Sequence, residues 1–135
     1  MADLSITPAS VVPTAGCNIE HGTAGVAIDA GEVIYVAAGL AQLADCTTAA
    51  KAGVRGIAVC SADAGQPISW ATSGIVTTGA TSAGVGLWVS DNAGKLGPIS
   101  DRGTTDYLSL VGIGYNENPP YGISLHLYAS AIAIP

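Results

Sequence analysis

Two histidines limit what acid–base or nucleophilic chemistry this chain of 135 residues can perform. They are His21 and His126. Nucleophilic catalysis needs a Ser or Cys beside a base that an acid orients. His126 lies in Ile123-Ser124-Leu125-His126-Leu127-Tyr128, where alternation puts Ser124, His126 and Tyr128 on one strand face. Ser124 and His126 could in principle serve a small hydrolase. No Gly-x-Ser-x-Gly elbow accompanies them. The stripe reads better as a polar face or a subunit contact, since Tyr is enriched at interfaces. Cys17, Glu20 and His21 are close in sequence, but their spacing matches no usual zinc pattern and no second cluster completes four ligands. Asp91-Asn92-Ala93-Gly94 opens like a calcium loop but lacks the later acidic ligands, so it reads as turn chemistry. The glycines of Gly79 to Gly86 have no Lys-Ser/Thr ending, so they form no phosphate loop. The chain is expected to be a non-enzyme with no cofactor and no metal.

The composition points to the elements that would carry these residues. Ala, Val, Ile and Leu dominate, Phe is absent, and 18 Gly and 7 Pro interrupt the chain at short intervals. Many short strands and tight turns follow, hence a sandwich or a small barrel. The length suits one domain, which can bury roughly two thirds of its unfolded surface without a metal or disulfide. Four basic residues face ten acidic ones, for a formal net charge of −6. Lys51, Arg55, Lys95 and Arg102 are dispersed, which argues against nucleic acid as a partner. Charge is scarce for a soluble surface, and mean hydropathy is positive. Both suggest that partners cover much of the surface. No run reaches the roughly 20 apolar residues of a membrane helix. The start of the chain lacks the basic and apolar regions of a secretory signal, so synthesis in a cytoplasm is expected. Cys17, Cys46 and Cys60 are odd in number and are expected to be free buried thiols.

The clearest element is Val54 to Val76, a strand over Val54 to Cys60, a turn through Gly65, and a second strand over Gln66 to Thr72. Gly74-Ile75-Val76 continues it. The same order recurs in Leu110 to Ala133, where Gly112 to Tyr115 matches Gly56 to Val59 and Ile123 to Leu125 matches Ile68 to Trp70. A degenerate internal repeat of one hairpin unit is therefore expected. Upstream, Gly25 to Ala30 and Glu32 to Ala37 read as strands around a turn at Asp29-Ala30-Gly31. Val33, Tyr35 and Ala37 share one face of the latter strand, and both its faces are apolar. Gly39 to Asp45 is a loop or short strand, and Thr47 to Ala52 has the composition for one or two helical turns. Gly86 to Ser90 and Leu96 to Ile99 flank the Asp91 to Lys95 turn.

Residues 1–16 hold Pro8 and Pro13 and read as an extended N-terminal arm, with an edge-type strand at Ser10 to Thr14. It is either a first strand of the barrel or an arm that docks on a neighbour. In the second case Val11, Val12 and Pro13 are interface candidates, and deleting the arm should spare the fold. Trp70 and Trp88 are core residues or oligomer anchors. The expected architecture is all-β: a small β-barrel or sandwich of short antiparallel strands over residues 17–135, with the arm and at most one short helix.

These pieces resemble a known family. Val54-Arg55-Gly56-Ile57-Ala58 with Ala64-Gly65-Gln66-Pro67-Ile68, and Trp88-Val89-Ser90-Asp91 with Gly94, are similar to segments of the capsid cement or decoration proteins of tailed bacteriophages. The likeness spans roughly Gly31 to Ala133. It implies a small barrel on the outer surface of the virion capsid, bound to the major capsid protein and to itself, usually as a homotrimer. Candidate contacts are then Val11, Val12, Pro13, Trp70, Trp88, His126 and Tyr128. The alternative is a receptor- or glycan-binding module of a phage tail fibre or tail tip, prompted by the Trp and Tyr residues.

Overall fold

The longest strand, Pro67–Thr77, belongs to two sheets at once and organises the rest. The computed structural model describes residues 4, 6–14, 16–48, 50–79, 86–97, 107–115, 122–125 and 132–133. In chain order the strands are β1 (Val12–Pro13), β2 (Asn18–Ala24), β3 (Val33–Ala37), β4 (Leu40–Leu43), β5 (Gly56–Ala58) and β6 (Pro67–Thr77). There follow β7 (Gly86–Val89), β8 (Leu96–Gly97), β9 (Tyr107–Leu108), β10 (Leu110–Tyr115), β11 (Gly122–Leu125) and β12 (Ile132–Ala133). A 3-10 turn at Pro8–Ser10 is the one helical element among the described residues. The protein is all-β, as its composition requires. Ten strands join one sheet system, and β9 and β12 form a separate pair.

Five of the strands close a ring in the order β2-β4-β3-β5-β6 and back to β2. Four of its seams are antiparallel. The β2–β4 seam is parallel and short, pairing Thr23 with Leu40 and Ala24 with Ala41. It is the one parallel pairing among the described strands, which otherwise pair antiparallel as expected. Five strands enclose little space, so the interior alternates small and large residues. Ala24, Ala41 and Ala58 leave room for Ile34, Ile68 and Trp70, and all six are buried in one cluster.

A second sheet runs β6-β11-β10-β7-β8, with β1 also on β6. It packs over the outer wall of the ring. Val33, Ile57 and Ala71 point outward from the ring and meet Val76, Leu87, Val111 and Ile123 in the main core. β3 is thus apolar on both faces because Ile34 fills the ring while Val33 and Tyr35 face the main core. Trp70 and Ala71, adjacent in sequence, serve different cores. Alternation along the strand sends them to opposite faces; just beyond, Asn18 opposes Ser73 but Ile19 opposes Ala71, so Thr72 is an extra, bulged residue. Two residues on, Gly74 has φ +93°. A bulge sharpens strand twist, and Gly tolerates positive φ, so β6 bends out of the ring and into the second sheet.

The arm is part of the fold. Leu4 N donates to Leu96 O at 2.8 Å, Val12 pairs with Thr77, and Pro13 pairs with Val76. Val11 is 8 % exposed within the main core, with Leu4 and Ile6 packed against it. The first-strand alternative therefore describes the arm, and Val11 is corrected from an interface candidate to a core residue.

Other expectations divide by how local their signals are. The Asp91 to Lys95 turn forms, with Ser90 N donating to Lys95 O at 3.0 Å and Gly94 at φ +79°. Gly25 to Ala30 is not a strand; Ile28 makes a single bridge to Ala62 while its side chain fills the ring. No helix forms among the described residues of Thr47 to Ala52, where a single bond, Ala52 N donating to Thr48 O at 3.0 Å, closes a turn. Too few residues follow to propagate it. The two halves of the expected repeat both supply hairpins, β5–β6 and β10–β11, but the registers differ. Ile57 faces Ala71, whereas Ile113 faces Ser124, the counterpart of Ser69. Ile57 is fully buried and Ile113 is 40 % exposed.

Candidate functional site

Three strands of the ring bring together residues that are far apart in the chain. β2 pairs Glu20 with Trp70 of β6, and β5 pairs Ala58 with the same Trp70. Arg55 immediately precedes β5 and is anchored by its own N–H, which donates to Ile34 O at 2.8 Å. Its Nε and Nη2 donate to Glu20 Oε1 and Oε2 at 2.8 and 2.9 Å. The Trp70 indole N–H donates to Glu20 Oε1 at 2.9 Å. A planar guanidinium against a planar carboxylate is the geometrically fixed form of an ion pair. The Trp donor adds a third restraint, because a buried indole N–H needs an acceptor. Hydrogen bonds from Arg55 and then from Trp70 hold the Glu20 carboxyl below its ordinary pKa, against a smaller opposing effect of burial. Glu20 is therefore a carboxylate at neutral pH. It suits anchoring and not proton donation.

This group sits in an open depression of about 630 Å³, lined by Glu20, Gly22, Val36, Gly39, Arg55 and Trp70 together with His21. The depression exists because the β2–β4 seam ends at Thr23 and Leu40. Beyond that point β2 has no pair on the β4 side among the described residues, and Gly22 and Gly39 line the depression. Val36, which lines the opening, is 42 % exposed, and Leu40, at the end of the seam, is 38 % exposed.

His21 lies on the opposite face of β2 from Glu20. Its Nδ1 is 2.7 Å from Ser69 Oγ, across a register pair of β2 and β6. That is nucleophile–base spacing, but among the described residues no carboxylate contacts the imidazole. Cys17 and Glu20 do not join His21: Cys17 Sγ donates to Ile75 O at 3.1 Å, and Glu20 belongs to Arg55 and Trp70. Cys17, Cys46 and Cys60 are not joined in disulfides; Cys46 is buried, while Cys17 and Cys60 are only partly covered, which corrects the expectation that all three are buried.

The contact candidates from the sequence do not form one patch. Val12 is 56 % exposed on β1, with Pro13 partly covered beside it. Trp88 is partly covered on β7, opposite Gly97 and Leu110. Trp70 is 5 % exposed, which corrects it from an interface anchor to a ring core residue; only its rim borders the depression. His126 and Tyr128 lie outside the described residues. Sequence reasoning missed Arg55 as a partner of Glu20. An Arg before one strand and a Glu within another are ordinary surface patterns, and only the β2–β6–β5 register makes them neighbours. Comparison of the chain with protein-family models, curated proteins and solved structures finds no match.

Proposed function

We propose that this chain is a structural virion protein that decorates the outer surface of a tailed-phage capsid and cements adjacent shell subunits. The observation that carries this is the likeness of Val54 to Ala58, Ala64 to Ile68 and Trp88 to Asp91 with Gly94 to capsid decoration proteins. In the fold these residues hold the β5–β6 and β7–β8 hairpins, the parts that set the shape of ring and second sheet. Two surface properties support the same role. Charged residues are 10 % of the chain, and Val12, Val36, Leu40 and Ile113 are large apolar side chains left exposed. Such side chains are matched to broad, weakly charged partners.

The mechanism is linkage. A protein that binds only the assembled shell stabilises that state by mass action. Repeated weak contacts in a symmetric lattice gain avidity from high effective concentration. Self-association, as a homotrimer or other small oligomer, would multiply the contacts per bound unit. A tail-fibre glycan module is the other reading; with Trp70 largely enclosed, its platform would rest on the partly covered Trp88.

The test is to mix purified protein with undecorated phage heads. Saturable binding and a raised temperature of head disruption are expected. Absence of both overturns the proposal, and labelling of tails instead of heads selects the glycan-binding alternative.

A further inference from the structure

The backbone of β2 at the depression carries an unfilled hydrogen-bonding edge. Ala24 N donates to Gln66 O at 2.9 Å and Ala24 O accepts from Gly65 N at 2.7 Å, so both main-chain groups of Ala24 point to the β6 side. Antiparallel pairing alternates, so the N–H and C=O groups of Gly22 and Glu20 also point to β6, and those of His21 and Thr23 point away from it. The close approach of His21 and Ser69 side chains is what a non-hydrogen-bonded pair shows. Ser69 fits the same count, since its C=O accepts from Val59 N on the other side of β6. On the far side of β2, β4 pairs only with Thr23 and Ala24. The N–H and C=O of His21 therefore face the depression with no strand beside them among the described residues.

We infer that this open seam of the ring is a strand-addition site, where an extended, uncharged-to-basic polypeptide segment pairs with β2 at His21 and seats an aliphatic side chain between Val36 and Trp70. A strand edge supplies affinity through main-chain hydrogen bonds, and an adjoining pocket selects a side chain. The walls are right for this. Val36 and the Trp70 rim are apolar, and Gly22 and Gly39 carry no side chain to obstruct the entry. Arg55 and Glu20 neutralise each other across two hydrogen bonds, so the floor asks for no charge from the ligand.

Charge decides the occupant. The chain is formally −6, and Lys51, Arg55 and Lys95 are each paired with an acid. Acidic segments are disfavoured at the seam, while a segment flanked by Lys or Arg is drawn in. The inference deepens the capsid-binding proposal by naming how the chain would grip a shell segment. It rests on that proposal only for the partner's identity.

The probe is the peptide acetyl-Lys-Thr-Val-Thr-Val-Thr-Lys-amide, titrated by calorimetry into the full chain, with amide hydrogen exchange at His21 followed in parallel. Binding at up to millimolar peptide with slowed exchange at His21 is expected. His21→Pro removes the outward N–H without touching the β6 ladder and should weaken binding about tenfold. Val36→Asp should weaken it by a similar factor, and Ile113→Asp, on the second sheet, should leave it unchanged. A peptide with Glu in place of both Lys should bind more weakly. No binding, or binding with His21 exchange unaltered, overturns the inference. If His21→Pro does not fold, Val36→Asp and wild-type exchange still decide. Self-association abolished by Val36→Asp would overturn the assigned occupant in favour of a second copy. Heads decorated equally by wild type and His21→Pro would defeat the seam but keep the capsid proposal. Peptide binding without head binding would do the reverse.

Discussion

Trp70 lies against Gly22 so closely that a Cβ at Gly22 would come within 2.7 Å of the indole Cη2. The two residues sit on neighbouring strands, with Gly22 opposite Ile68 and Glu20 opposite Trp70. The large ring fits the narrow barrel because this neighbour has no side chain.

Gly22→Val should therefore destabilise the fold. Trp70 is held by its bond to Glu20 and cannot swing aside freely. Overpacking of this kind costs about 1–3 kcal/mol. A lower urea midpoint with an unchanged slope is expected, and an unchanged midpoint would show that the indole moves.

Glu20 makes stability depend on pH. Its folded pKa is below its ordinary value, so its contribution is present above the unfolded pKa and is lost as pH falls through the folded one. The Arg55 side chain is 56 % exposed, so solvent screens the pair and the effect is small. Urea midpoints should fall on acidification below the ordinary carboxylate range. Glu20→Gln should flatten that part of the profile; an equal slope in wild type and variant would assign the loss to other carboxylates.

Gly74→Ala tests the bend in β6. The position has φ +93°, and an added Cβ would lie 2.9 Å from the Cys17 Cα. Strain at such a position costs on the order of 1–3 kcal/mol. A drop of that size in chemical denaturation is expected, and a neutral result would mean that the strand can straighten.

Removal of residues 1–16 should lower stability, not merely assembly. Val11 leaves the core, and Leu96 O loses its bond from Leu4 N. Val11→Ala alone should cost about 1.5 kcal/mol from two buried methylene equivalents. Thermal melts of both variants check this, and a truncated chain melting like wild type would show the arm to be dispensable for folding.

The β5–β6 and β7–β8 hairpins were legible in the sequence because their signals are local. Asp91 to Lys95 and Ser61 to Gln66 are turns by residue type, and alternation marks the strands beside them. Apolar residues on both faces of Val33–Ala37 told correctly that this strand is covered on two sides at Val33 and Ile34, while Val36 and Ala37 at its end are exposed. Less of the site could be read. Glu20 and Arg55 are 35 residues apart and Glu20 and Trp70 are 50 apart, and no spacing rule links them.

By itself, then, the sequence determined an all-β chain of short strands, its turns, its scarce and dispersed charge, and the residue types able to fill a narrow core. Tertiary structure alone decided which strands meet. It closed a ring through a parallel seam of two residue pairs, bent β6 at Thr72 and Gly74 to serve two sheets, and folded the arm onto its own core. The physical reason is that strand propensity and turn chemistry act over a few residues, whereas register and closure are set by how all buried faces pack at once.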